Sequence, residues 1–197
     1  MTGIVLAGGE SRRMGRDKAF LTINGRPMIE CVISVLREVT EHIIVVTNTP
    51  EAYAGHDVEI TTDAFGQRGS IVGVYSGLLR SRDEYNIVVA CDMPFLNSGL
   101  IRYMSGLATA EYDVVLPKIG EFVEPLHAVY GRGLLPVFEE RIRNGHKRIM
   151  SAFTGRRVRY VTEKEVDRFD PGRRSFVNLN TVKEYEEVTC SDLECRN

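Results

Sequence analysis

The sequence predicts an α/β protein, a three-layer αβα sandwich on a mostly parallel sheet. Short β-branched and apolar runs alternate along it with longer segments of helical period. Two of the runs, IIVV at 43–46 and IVVA at 87–90, are apolar throughout. Continuous apolarity is what a strand needs when helices cover both of its faces. With 197 residues and no repeat, low-complexity stretch or linker, the chain reads as one domain, 1–197, with 189–197 as a loose tail.

The elements follow in order. Strands are expected at 3–6, 42–47, 58–62, 86–91 and 113–116. Ile29, Val32, Ile33, Leu36 and Val39 form one helical face, with Pro27 near its first turn. Ile71, Val74, Tyr75, Leu78 and Leu79 form a second. Leu100, Ile101, Met104 and Leu107 form a third, behind the capping candidates Asn97 and Ser98. A further strand is expected at 126–130, helices at 134–143 and 148–153, and an edge strand at 157–161. Thr181-Val-Lys-Glu184 is a capping-box pattern that opens a last helix. Strand-helix-strand repeats imply right-handed crossovers.

Composition narrows the class of function. A formal charge of -2 gives no general attraction to nucleic acid or anionic membrane, so an anionic ligand needs a local cluster of cations. The first residues show no secretory pattern, and no apolar run approaches the ~20 residues of a membrane span. Cys31, Cys91, Cys190 and Cys195 lack zinc-site spacing. Cys31 and Cys91 read as buried thiols, and Cys190 and Cys195 could pair only under oxidising conditions. A reduced, cytoplasmic protein is the expectation.

The strongest local signal is LAGGESRRMGRDK at 6–18, directly after the first strand. Open α/β sheets bind ligands beyond the carboxyl ends of their strands. Gly8, Gly9 and Gly15 let backbone amides approach an anion closely. Arg12, Arg13, Arg16 and Lys18 outnumber Glu10 and Asp17. One unit-charge pair at ~4 Å is worth roughly 4 kcal/mol at an effective dielectric near 20, so such a loop can offset a triphosphate. Neither the P-loop nor the dinucleotide fingerprint fits the spacing. An ordinary turn with solvated arginines is the alternative.

The fourth strand ends at Asp92, with Pro94 blocking its continuation. A carboxylate facing phosphates is repulsive unless a hard cation lies between them, and magnesium takes one or two carboxylates plus phosphate oxygens. The alternative is that Asp92 caps the next helix. Asp63, at the end of the third strand, could meet a base, ribose or metal. Asn48, after the second, could read a base edge or simply form a turn before Pro50. His42, His56, His127 and His146 match no triad or metal spacing. His127 could line an acceptor pocket or be a buried strand histidine. The basic segment 156–174 could hold an acceptor phosphate, but its interspersed acids equally suit a solvated face.

LAGGESRRMGRDK, TTDAFGQRGSIVG (61–73), ACDMPF (90–95), EPLHAVY (124–130) and FVNLNTVKE (176–184) together resemble the molybdenum cofactor guanylyltransferase family. The resemblance implies a Rossmann-like sheet of the glycosyltransferase-A, nucleotide-diphospho-sugar transferase type. It implies transfer of GMP from GTP to molybdopterin or molybdenum cofactor, with Mg2+ as cofactor. It implies that Leu6, Ala7 and Gly8 line the nucleotide site and that Asp63 contacts the nucleotide; Gly9, Gly15 and Asn48 join this set from the reading of the residues above, the family's Asn often standing slightly earlier than Asn48. Arg13 and Lys18 would meet the triphosphate, Asp92 would bind magnesium, and Asn178 and Asn180 would lie near the acceptor. Molybdoenzymes or other cofactor-biosynthesis proteins are the implied partners. The family's usual Gly-Pro-Leu reads Gly69-Ser70-Ile71 here. The rival readings are a cytidylyl- or sugar-phosphate nucleotidylyltransferase on the same fold, and a non-catalytic nucleotide-binding accessory protein. The resemblance also implies guanine, since members reading LAGG use GTP where LAAG relatives use CTP; the physical rationale is that Gly8 lacks the methyl that would crowd a two-ring base.

Overall fold

A computed structural model describes residues 1–8 and 18–179, so the expected last helix and tail lie outside the described residues. The strands are β1 (Thr2–Leu6), β2 (Thr22–Ile23), β3 (Arg26–Pro27), β4 (His42–Val46), β5 (Glu59–Thr61), β6 (Tyr85–Ala90), β7 (Val114–Ile119), β8 (Phe122–Val123), β9 (His127–Gly131) and β10 (Val158–Thr162). The helices are α1 (Met28–Arg37), α2 (Ser70–Arg80), α3 (Ser98–Gly106), α4 (Leu135–Arg143) and α5 (Glu163–Val166).

The main sheet runs β10-β7-β9-β6-β1-β4-β5, with β8 paired to β7. β1 pairs in parallel with β4 and β6, β4 with β5, and β7 with β10. β9 is antiparallel to both β6 and β7, which makes the sheet mixed at that point. Alternation along β1 sends Ile4 to one face and Val5 to the other. Val5 joins Ile29, Val32 and Leu36 of α1 and Leu100, Ile101 and Met104 of α3. Ile4 joins Ile71, Val74 and Leu78 of α2 and Phe138 and Ile142 of α4. Three layers result, as the apolar runs require.

Some details differ from the sequence expectation. The turn at 148–153 is a 3-10 helix, Ile149–Ala152, not an α-helix. Cys31 is half-buried rather than buried, while Cys91 is buried. The β2–β3 hairpin has no counterpart among the elements read from periodicity, because two-residue strands show none. Its signal is Asn24-Gly25, with φ of 50° and 79°, the positive pair that a tight hairpin favours. α2 lies close on β1 because Gly77 has no side chain: a Cβ there would overlap Ile4 Cγ2. Asn97, not Ser98, caps α3, its Oδ1 accepting from the Leu100 N–H at 2.9 Å. No helix among the described residues is long and apolar enough to cross a membrane.

Three of the six arginines of the basic segment are held by acids. Arg157 pairs with Asp113, Arg173 with Asp167 and Glu163, and Arg159 with Glu165. Arg174 lies 4.3 Å over the Phe95 ring. The segment is therefore chiefly structural. Glu165 is its hub: it accepts from Arg159, from Tyr103 Oη at 2.5 Å, and from both Oγ1 and N–H of Thr162 at 2.7 and 2.8 Å. Burial works against its charge, but these donors together lower its pKa from 4.5 to about 2. A depressed carboxylate stabilises above its unfolded pKa, and that contribution fades as pH falls from about 4.5 through about 2. Glu165→Gln is expected to lower stability at pH 7 by about 2 kcal/mol and to flatten the acid limb of the unfolding profile, read by urea titration across pH.

Candidate active site

The sheet's register builds the site. Leu6 of β1 stands opposite Ala90 of β6 and Val46 of β4. One residue on, the Leu6 carbonyl accepts the Cys91 N–H at 3.1 Å and the Ala7 N–H donates to Val46 O at 2.9 Å. Three strands therefore end side by side, and the segment leaving β1 departs next to the one that holds Asp92.

Above these ends lies a cavity of about 530 Å3, lined by Leu6, Gly8, Asp63, Arg68, Gly69, Asp92, Lys147 and neighbours. The volume suits a small-molecule ligand. Asp92 is only 7% exposed, and its backbone carbonyl accepts the Leu179 N–H at 3.1 Å. It does not cap α3, since Asn97 does. Asp63 also lines the cavity, in a two-way bond with Asn48. Asn48 Nδ2 donates to Asp63 Oδ2 at 2.8 Å, and the Asp63 N–H donates to Asn48 Oδ1 at 3.4 Å. A Cβ on Gly8 would stand 3.9 Å from Asn48 Nδ2, so Gly8, Asn48 and Asp63 form one corner.

Ala7 departs from the expected set: it joins the core on the α1 face and does not line the cavity. The cause is the two-residue period of the extended chain, which turns Leu6 and Gly8 one way and Ala7 the other. The expectations for Gly9, Arg13, Gly15 and Asn180, and for the side chain of Lys18, lie outside the described residues. The Lys18 backbone opens a 3-10 turn, Lys18–Phe20.

Two cations not singled out in the sequence stand on the wall, Arg68 and Lys147. The β5–α2 segment that presents Arg68 is pinned by the Ala64 N–H donating to Ser76 Oγ at 2.8 Å and by Gln67 Nε2 donating to Ile142 O at 2.5 Å. Arg68 was legible, one residue before Gly69 in a quoted motif. Lys147 was not, because it arrives from far along the chain. α4 ends in a Schellman turn, with Gly145 at φ 79° donating to Ile142 O at 2.9 Å and His146 N–H donating to Arg141 O at 3.0 Å. That turn sends Lys147 against Gly69, where a Cβ would lie 2.8 Å from Lys147 O.

The EPLHAVY motif contributes two buried polar groups. Glu124 is 6% exposed. Burial raises its pKa and the Asp92 charge adds to this, opposed by hydrogen bonds from the Leu126 N–H and the Asn178 amide. His127 is fully buried, and burial lowers its pKa to about 4. It stays neutral near pH 7, packed 5.5 Å from the Phe176 ring. That is the buried strand histidine rather than a pocket wall.

Comparison with known proteins decides the family. The model of the MobA-like NTP transferase domain matches residues 3–160. The chain belongs to this family. It is 42% identical to the molybdenum cofactor guanylyltransferase of Desulfosudis oleivorans, over 95% of this chain and 94% of that one. It is 33% identical to the molybdenum cofactor guanylyltransferase of Syntrophotalea carbinolica, over 94% and 89%. Among solved structures, molybdopterin-guanine dinucleotide biosynthesis protein A of Archaeoglobus fulgidus superposes with a TM-score of 0.86 at 26% identity, covering 98% of this chain and all of that one. The sheet with helices on both faces is thus the nucleotide-diphospho-sugar transferase fold.

Gly69→Ala is expected to push the Lys147 backbone off the wall. Affinity for a magnesium nucleoside triphosphate should fall about tenfold in a calorimetric titration, near 1.4 kcal/mol. Unchanged affinity would show that the Gly69–Lys147 contact plays no part in binding.

Proposed function

We propose that this NTP transferase moves GMP from GTP to molybdopterin or molybdenum cofactor, releasing pyrophosphate and forming the guanine dinucleotide. The observation that supports this reading most directly is the meeting of the β1 and β6 ends at one cavity. A carboxylate, Asp92, and two cations, Arg68 and Lys147, share its wall. The names of the relatives, two of them guanylyltransferases at 33% identity or more over nearly the whole chain, favour GTP and the molybdenum cofactor as substrates.

Asp92 and Asp63 suit a hard divalent cation. Magnesium takes one or two carboxylates and completes its shell with phosphate oxygens and water, and both carboxylates line the cavity. Asp92 would be the ligand, and the bound ion would supply neutralisation of the triphosphate charge. Gly8, Asn48 and Asp63 offer the corner for the nucleoside. Arg13 and Lys18 take the triphosphate on the motif resemblance, with Gly9 and Gly15 allowing backbone approach. Asn178 and Asn180 are assigned to the acceptor.

The acceptor's terminal phosphate oxygen attacks the α-phosphorus of GTP in line. A new P–O bond forms, the bond to the β-phosphate oxygen breaks, and its electron pair leaves with pyrophosphate. A phosphate monoester is already anionic at pH 7, so no general base is assigned and neutral His127 need not act. Cations around the cavity stabilise charge developing on the leaving group. The reading places the reaction in the cytoplasm, with molybdoenzymes or other cofactor-biosynthesis proteins receiving the product.

The test is pyrophosphate release with GTP, CTP or UTP, magnesium and molybdopterin. GTP is expected to dominate, and a preference for CTP or UTP would overturn the guanine assignment. Binding of all three without turnover would mark a nucleotide-binding accessory protein. Asp92→Asn is expected to lower kcat by roughly 100-fold or more with little change in Tm. Gly8→Ala is expected to reduce kcat/KM with GTP more than with CTP, because its methyl enters the Asn48 corner; equal losses would count against Gly8 as a base selector.

A further inference from the structure

Lys147 lies on the cavity wall, yet no substrate atom has been assigned to it. Its side chain is exposed and makes no hydrogen bond or ion pair among the described residues, whereas Arg68 is already engaged by the protein. An ammonium has three donors and no acceptor, so its partner in the cavity must be an anion or an acceptor edge. A nucleoside triphosphate offers both, in its phosphates and in its base.

The placement of Lys147 favours the base. Its backbone is held against the β5–α2 segment at Gly69, where an added Cβ would lie 2.8 Å from Lys147 O and 3.3 Å from Lys147 Cβ. That segment starts at Asp63, which with Asn48 and Gly8 forms the nucleoside corner. The cations that the resemblance assigns to the triphosphate, Arg13 and Lys18, belong to a different segment, the one leaving β1. α2 opens at the same wall: Gly69, Ser70 and Gly73 line the cavity, and no side chain caps the first N–H groups of the helix. Ser70 stands where the family usually has proline, and so adds an N–H that proline lacks. Leu6, Val46 and Leu126 give the cavity apolar surface for a flat ring. Apolar surface bordered by donors suits a base whose edge consists of acceptors.

Size alone does not choose guanine. The space left by Gly8 admits any two-ring base, adenine included. The edges differ in polarity: guanine presents O6 and N7, both acceptors, and adenine pairs N7 with a donor amino group. Cytosine offers a donor amino group and no N7. An ammonium is attracted to the first edge and opposed by the amino hydrogens of the other two. We propose that Lys147 is a specificity-determining residue that donates to the O6/N7 edge of guanine. This rests on the GTP reading given above and adds to it the residue that rejects adenine and cytosine. A phosphate contact at Lys147 would instead hold all nucleoside triphosphates alike.

The experiment is calorimetric titration of wild type, K147M, K147R and K147E with the magnesium complexes of GTP, inosine triphosphate, ATP and CTP. Inosine keeps O6 and N7 and lacks only the 2-amino group. Lys147→Met is expected to weaken GTP and inosine triphosphate about tenfold each, with ATP and CTP within about twofold of wild type. Lys147→Arg keeps a cation that can serve the same edge, so the preference for GTP over ATP should stay within about threefold of wild type. Lys147→Glu places an acceptor there, and its ATP-to-GTP affinity ratio should exceed that of K147M. Ratios are compared because a general charge effect on the triphosphate divides out of them. Equal loss for all four nucleotides in K147M would move Lys147 to the phosphates and overturn the assignment. A loss confined to GTP that spares inosine triphosphate, or no loss at all, overturns it too. Should K147M fail to fold, K147R and K147E decide the matter, and unchanged ratios in K147E are equally fatal. A wild-type protein without preference for GTP defeats the guanine reading, and this inference with it. Preference for GTP in wild type that K147M retains in full defeats this inference alone.

Discussion

The parallel register of β1 between β4 and β6 is the constraint on which the rest of the molecule depends. It makes three strands end at one level and places the Leu6 carbonyl on the Cys91 N–H. Two segments more than 70 residues apart in sequence are thereby joined at adjacent residues, with Gly8 and Asp92 on one cavity wall. Backbone hydrogen bonding in a covered sheet tolerates no slip, because a one-residue shift would turn Ile4 and Val5 to the wrong layers. The site's precision is inherited from the core.

Around this edge the chain uses glycine and caps to bring remote residues close. Gly77 lets α2 settle on Ile4, and Gly69 lets Lys147 approach the β5–α2 segment. The Schellman turn at Gly145 aims Lys147, and Asn97 anchors α3, its Nδ2 donating to Phe169 O at 2.9 Å. These contacts have no bearing on chemistry by themselves. Their effect is to bring cations from the β5–α2 and α4–β10 connections to the same cavity as carboxylates from the β5 and β6 ends, a charge pattern suited to a metal-triphosphate.

A second group of polar residues near the end of β6 has a different physical character. It is made of buried polar groups rather than exposed charge: Glu124, Asn178 and the clamped turn at 170–176. Buried polar groups discriminate more sharply than surface charges, because a mismatched ligand leaves them unsatisfied in a low-dielectric setting.

The sequence by itself determined the layers, the strand and helix positions to within a few residues, and the family. Apolar periodicity, Asn97 and the glycine-rich opening are local signals, set by burial and backbone geometry within a few residues. It also marked Asp63, Asp92 and Asn48, since strand-end residues are legible once the strands are. Only the tertiary structure decided that Ala7 turns into the core, that β9 runs antiparallel, that Arg157, Arg159 and Arg173 are held by acids, that Lys147 reaches the cavity, and that Glu124 is buried within range of the Asp92 charge. Each of these depends on a partner distant in the chain. Contacts of that kind arise from the closing of the sheet, and no short window of residues encodes them.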